Sequence, residues 1–185
     1  MLFIPGFLIA WATFPGVIIH EFAHKKACEY RNIPVRDIQY FSLAGGGHVT
    51  HRSPRRFSDT LAISAAPFAI NTAIAFAFYT LAILLFEAPS MVSLPVPEQH
   101  TSLAALAVGW LAVSTGWHAI PSFTDTGNIW AGAKAEWRSS NLALFALPLA
   151  VLFYIGNLLA FVWFDAVYSI GIGALAYGVL TYGVL

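Results

Sequence analysis

Long apolar stretches alternate with short polar segments along most of this chain. A helix needs about 20 mostly apolar residues to cross the hydrocarbon core of a bilayer. Five stretches meet this condition, namely Leu2 to about Ala27, Thr60 to Phe86, Leu103 to Ile120, Leu142 to Phe164 and Val167 to Leu185. The first contains possible bend points at Pro5, Gly6, Pro15 and Gly16. The pattern predicts an all-α polytopic membrane protein with about five transmembrane helices, the last two forming a tight hairpin around Asp165.

A polar stretch of about thirty residues separates the first two predicted spans. Val35 to Leu43 has a strand-like composition, Gly45 to Gly47 is a turn signal, and His48 to His51 could return as a second strand. We therefore expect a small β-hairpin at the cytoplasmic face or dipping into it, with an irregular loop as the alternative.

The composition supports the interpretation as a membrane protein and reduces the number of possible functions. Hydrophobic residues make up 58% of the chain and charged residues 10%, whereas soluble domains average about 25% charged. A net charge of zero gives no indication of nucleic-acid binding. The single cysteine, Cys28, excludes an intrachain disulfide and a zinc site built from several cysteines. With no soluble appendage or repeat, residues 1–185 are expected to form a single membrane domain.

The basic residues are distributed asymmetrically. All nine lysines and arginines follow either the first or the third predicted span, and the connection from Glu87 to Ser102 has none. Cytoplasmic loops carry the excess of such residues, so the basic segments are expected in the cytoplasm and the N-terminus outside. We expect a multi-pass protein of a cell membrane.

The first span ends in a candidate metal-binding motif, His20-Glu21-Phe22-Ala23-His24. Residues i and i+4 project from one helix face, so both imidazoles can reach one ion. Glu21 lies beside them and could take a proton from metal-activated water. The alternative is a histidine pair satisfied by helix packing or by water at the membrane surface.

A catalytic zinc usually has a third protein ligand. That ligand should lie near the membrane on the cytoplasmic side, and Asp125, just after the third span, meets both conditions. Further candidates are His48, His51, His118 and Glu136.

At these motifs the chain resembles the site-2 protease family of intramembrane zinc metalloproteases. The similarity covers about residues 10–130 and leaves 142–185 as an additional helical hairpin. Four segments carry it, Phe14 to His24, Phe41 to Gly46, Ala66 to Asn71 and Pro121 to Gly127. They correspond to the family's His-Glu-x-x-His helix, the glycine-rich strand segment that follows it, the opening of the second core span, and the aspartate motif two spans later.

The resemblance implies a zinc ion held by His20, His24 and Asp125, with Glu21 as catalytic base. It also implies a substrate that is a transmembrane or membrane-tethered segment of another protein. A strand near Tyr40 to Leu43 could hold that substrate by β-addition.

The chain departs from the family pattern around Asp125 and Asn71. His118 occupies the position of a family asparagine, so it could line the site, bind substrate or stabilise an oxyanion, or it could be an ordinary interfacial histidine. Asn71 lies one residue beyond the usual spacing, and we expect it near the substrate or the oxyanion.

Other interpretations also remain open. His48 and His51 could add a zinc ligand or be ordinary hairpin residues. The alternative function is a metal-binding membrane transporter or scaffold without proteolytic activity. The sequence leaves the oligomeric state open.

Overall fold

The computed structural model describes residues 4–88 and 100–183, which are mostly helical. The helices are α1 (Gly6–Ala12), α2 (Phe14–Tyr30), α3 (Phe57–Glu87), α4 (Thr101–Trp117), α5 (Phe123–Glu136), α6 (Asn141–Leu159) and α7 (Phe164–Gly183), and the strands are β1 (Val35–Gln39) and β2 (His48–His51). Most of the connection between α3 and α4, including Glu98, lies outside the described residues, as do the outer ends of the first and fifth predicted spans.

Three helical segments are long and apolar enough to cross a membrane: α3, α6 with its 3-10 extension (Asn141–Val162), and α7. Helices α1 and α2 could together supply a fourth, but they meet at 89° around Thr13, so the first predicted span is not one straight helix. Helix α4 has 17 residues, somewhat short for a bilayer core. The predicted helical fold is confirmed, and three helices are long and apolar enough to cross a membrane, whereas the number of five spans is not confirmed.

The predicted β-hairpin is present between α2 and α3. Strands β1 and β2 pair antiparallel, with Gln39 opposite His48. Strand β1 ends at Gln39, so residues 40–43 are not the strand that we expected to hold a substrate. Instead, residues 40–47 form a turn in which Gly45 and Gly46 have φ values of 81° and 102°, a region that favours glycine.

Helix α3 is the central element of the bundle and packs against α2, α4, α5 and α7. Helix α2 approaches α4 closely at Gly16, where a methyl group would overlap the backbone of Ser114. The Gly16 amide donates to Ser114 Oγ at 2.8 Å, and that hydroxyl donates to the carbonyl of Thr13 at 2.8 Å. This contact fixes the start of α2, and therefore the metal-binding motif, against the end of α4.

Helices α6 and α7 do not form the predicted hairpin. Helix α6 packs along α5, whereas α7 packs along α3 and α4. Phe153 of α6 contacts Phe68 of α3, while Ser169 of α7 hydrogen-bonds to Tyr79, further along α3. The two helices therefore follow one another along α3 in the same direction.

The anchoring of the α6–α7 connection explains this arrangement. Asn157, near the end of α6, donates to the carbonyl of Pro121 at 2.8 Å, and Trp163 stacks edge-on against Trp117. The end of α6 is thereby held at the α4–α5 connection, midway along the bundle. Helix α7 then covers the remaining length of α3 and α4.

One end of the bundle, here called the basic end, comprises the last turns of α2 and α5, the β-hairpin and the first turn of α3. Arg31 forms an ion pair with Asp59, and Gly132 packs against Phe57, which brings these segments together. All nine lysines and arginines lie in these segments or in the residues flanking them.

Candidate metal centre

His20 and His24 lie one turn apart on α2, and their Nε2 atoms are 3.2 Å apart. Nδ1 of His20 donates to the carbonyl of His118 at 2.7 Å, and Nδ1 of His24 donates to that of Ile63 at 3.0 Å. Because a carbonyl only accepts, each Nδ1 carries the hydrogen and each neutral ring presents an Nε2 lone pair. Such carbonyl partners typically fix the tautomer and orientation of metal-binding histidines.

The spacing of the ligand atoms fits a bound cation. Two Nε2 lone pairs 3.2 Å apart repel each other unless a cation or proton lies between them. Asp125 Oδ2 lies 3.3 Å from His24 Nε2, and ligand atoms of all three residues fall within 4.8 Å of one another. Zinc–ligand bonds of about 2.0–2.1 Å in a tetrahedron place neighbouring ligands about 3.3–3.4 Å apart. His20, His24 and Asp125 could therefore hold a metal ion.

Asp125 is oriented by a capping box at the start of α5. Its amide donates to Ser122 Oγ at 3.1 Å, and Ser122 Oγ donates to Asp125 Oδ2 at 2.6 Å. Burial alone would raise the pKa of Asp125, whereas the hydrogen bond from Ser122 lowers that pKa. The carboxylate is thus fixed in its ionised form toward the two histidines.

Glu21 is buried beside the ligand group and covered by the turn of the hairpin. Only 7% of its surface is exposed, and a methyl group on Gly47 would overlap its Cγ atom. The turn is held from the other side by α1, because Trp11 Nε1 donates to the carbonyl of Leu43 at 3.0 Å. Contact between Glu21 and bulk water is therefore limited by the hairpin.

Two cavities meet at Glu21 and His20. The inner cavity, about 330 Å³, lies between α1, the hairpin turn, the end of α4 and the start of α7. The hairpin cavity, about 270 Å³, extends past His24 and Asp125 toward β2. His20 and Glu21 line both cavities, so a peptide chain passing from one cavity to the other would pass the candidate catalytic base and one metal ligand.

His118 contributes to the site mainly through its backbone. Its carbonyl accepts from His20, and its ring hydrogen-bonds through Nε2 to Thr13 Oγ1 at 2.8 Å. His118 is one of the residues that line the inner cavity. The Thr13 hydroxyl donates to Ile9, so the His118 ring is the donor to Thr13. The neutral ring then has an acceptor at Nδ1, which suits substrate binding better than stabilisation of an oxyanion.

Asn71 is fully buried and does not belong to the residues that line the two cavities. Its Nδ2 donates to the carbonyl of His118 at 3.1 Å, the same oxygen that accepts from His20. The geometry therefore does not support the predicted contact of Asn71 with substrate. It gives Asn71 a positioning role, because Asn71 helps to hold the carbonyl that orients His20.

The remaining candidate ligands do not join the group. His48 pairs with Asp37 at 2.9 Å, and His51 Nδ1 hydrogen-bonds to the carbonyl of Arg52 at 2.9 Å, although both line the hairpin cavity. Glu136 lies at the far end of α5.

Four further residues contribute to the site and were not predicted. Thr13 and Ser122 hydrogen-bond to His118 and Asp125, the carbonyl of Ile63 accepts from His24, and Asp165 lines the inner cavity. Only Ser122 had a sequence signal, since Ser-x-x-Asp is the spacing of a capping box.

The chain matches no protein-family model, no curated protein and no solved structure. The geometry of the site and the sequence motifs are therefore the basis on which a function can be proposed.

Proposed function

We propose that this protein is an intramembrane zinc metalloprotease that hydrolyses peptide bonds in or near transmembrane segments of other membrane proteins. The observation that carries the proposal is the convergence of His20, His24 and Asp125 beside a buried glutamate, Glu21, within a highly apolar helical protein. A site that only bound a metal would have no need of Glu21 at the boundary between two cavities.

In this proposal His20, His24 and Asp125 hold the zinc ion, and Glu21 moves the proton. When bound, zinc supplies a Lewis acid that lowers the pKa of water and polarises a carbonyl. Glu21 takes a proton from the attacking water and delivers it to the leaving amine. The hairpin turn limits the access of bulk water, and a substrate extended between the two cavities presents its carbonyl beside Glu21.

The proposed location is a cell membrane, with the active site toward the cytoplasm. The ligand group lies in the half of the bundle nearer the basic end, where Ile63 of α3 meets His24. Basic segments favour the cytoplasmic side. The proposed partners are the lipid bilayer and a membrane-protein substrate.

The test measures metal content and cleavage on the same samples. Protein purified in detergent is assayed for bound zinc and for hydrolysis of a model transmembrane substrate. We expect Glu21→Gln to retain zinc and to lose at least about a hundredfold in cleavage rate, because it can no longer accept the proton. Glu29→Gln, an exposed carboxylate on the same helix, is the control and should behave as wild type. Undiminished cleavage by Glu21→Gln would refute the mechanism.

A metal-binding transporter or scaffold is the second candidate. The observation in its favour is Asp165, a further carboxylate in the inner cavity that could serve a moving cation. Zinc flux into proteoliposomes, with no cleavage of any substrate, would establish this alternative instead of the protease.

A further inference from the structure

Asp165 is a partly buried ionisable side chain that the proposed mechanism does not use. It lies in the first turn of α7 and lines the inner cavity together with His20 and Glu21. In the described part of the chain it has no hydrogen-bond or ion-pair partner. Ionisable residues at such positions in membrane proteins are costly and usually functional.

In the described part of the chain, no lysine or arginine lies beside Asp165 to compensate its charge. All lysines and arginines belong to the basic end, and none of them lines the inner cavity. Among the neighbouring polar groups, the Asn157 amide donates to the carbonyls of Pro121 and Phe153, whereas the indole N–H of Trp117 is buried without a partner and carries no charge. The His118 ring donates to Thr13. The inner cavity therefore presents a carboxylate without a cation.

We propose that Asp165 binds a positively charged group of the substrate, the side chain of a lysine or arginine near the scissile bond. This role rests on the proposed protease function, and it specifies which substrates the protease would prefer. The inner cavity extends from Glu21 to Asp165, so a peptide whose carbonyl lies beside Glu21 can direct a long side chain to Asp165. Membrane segments carry lysine and arginine at their cytoplasmic ends, which is the side proposed for the active site.

This recognition can be tested by changing the charge of the substrate side chain and, separately, the charge of residue 165. A model transmembrane substrate is prepared with lysine, methionine or glutamate at each position around the cleavage site. We expect wild type to cleave the best lysine substrate about tenfold or more faster than its methionine counterpart, the gain typical of a charged hydrogen bond.

The variants then assign that preference to Asp165. Asp165→Asn should lose the preference for lysine but still cleave the methionine substrate, and Asp165→Lys should favour glutamate. Asp165→Glu, which keeps the charge, should keep the preference for lysine. The control is Glu87→Gln, an exposed carboxylate at the end of α3 remote from the cavity, and it should match wild type. Equal cleavage of lysine and methionine substrates by wild type, or a lysine preference that survives in Asp165→Asn, would overturn the inference.

A binding experiment separates this inference from the proposed activity. Peptide hydroxamates, which chelate zinc, are made with either lysine or its uncharged isostere norleucine, and their binding to zinc-loaded protein is measured by calorimetry. Tighter binding of the lysine probe to wild type, lost in Asp165→Asn, supports the cation site even if no substrate is cleaved. Equal binding of both probes to wild type overturns it. Absence of cleavage of every substrate counts against the protease alone.

Discussion

At the residue scale, the candidate metal centre depends on side chains and carbonyls that never touch the metal. Ser122 is the clearest case, because its hydroxyl donates to the carboxylate oxygen of Asp125 that faces His24. We expect Ser122→Ala to weaken zinc binding by about tenfold to a hundredfold, the usual effect of losing such a supporting contact. Loss of the helix cap should also cost about 1 kcal/mol of stability. Competition with a chelator and thermal unfolding in detergent measure the two effects.

Ser140→Ala provides the matched control for this prediction. Ser140 caps α6 through the amide of Ala143, so its removal also deletes a helix cap, but at a place remote from the metal ligands. It should reduce thermal stability to a similar extent and leave zinc affinity unchanged. If both variants bind zinc equally well, the capping box does not position Asp125.

The part of the site that could be predicted from the sequence is the part encoded by local spacing. His20 and His24 are one helical turn apart in any α-helix, and Ser122 and Asp125 have the spacing of a capping box. The carbonyl of Ile63 and the side chain of Asp165 carry no such signal. Both reach the site only because of how α3 and the α6–α7 connection pack, which a single sequence does not encode locally.

At the element scale, the hairpin turn acts as a cover for Glu21. A methyl group on Gly47 would overlap Glu21 Cγ and the carbonyl oxygens of Gln39 and Tyr40, so Gly47→Ala must displace the turn. We expect this variant to retain zinc and to cleave at least about tenfold more slowly, because misplacement of catalytic groups is costly. Hydrogen exchange of residues 40–47 should rise at the same time.

Gly171→Ala is the control for displacement of the turn. Gly171 lies on α7 with open space where its methyl group would be, so the substitution should change neither hydrogen exchange of the turn nor cleavage. Faster exchange in Gly47→Ala with full activity would show that the cover has no catalytic role.

The elements themselves were predicted with uneven success, for a physical reason. Hydrophobic length identified the stretches that become α3, α6 and α7, and glycine-rich turn chemistry identified the hairpin. Apolar length does not say which neighbour a helix packs against. The pairing of α6 with α5 depends on α5, whose 14 residues have a mixed polarity that gave no span signal.

At the scale of the whole molecule, the path of α6 and α7 leads to a different topology from five alternating spans. Five alternating spans that begin outside would return the end of α7 to the cytoplasm. In the structure α6 and α7 both run away from the basic end alongside α3, so the end of α7 lies at the opposite end of the bundle. We therefore expect Tyr182 and the basic end to lie on opposite sides of the membrane.

Cysteine labelling in whole cells distinguishes the two topologies. The native Cys28 is buried and should stay unreactive, so single cysteines are introduced at two exposed sites, Ser139→Cys near the basic end and Tyr182→Cys at the end of α7. A membrane-impermeant maleimide should label Tyr182→Cys on intact cells and Ser139→Cys only after permeabilisation. Labelling of both positions only after permeabilisation would restore the alternating arrangement. It would then require α7 to reverse relative to α6, against the contacts of Phe153 with Phe68 and of Ser169 with Tyr79.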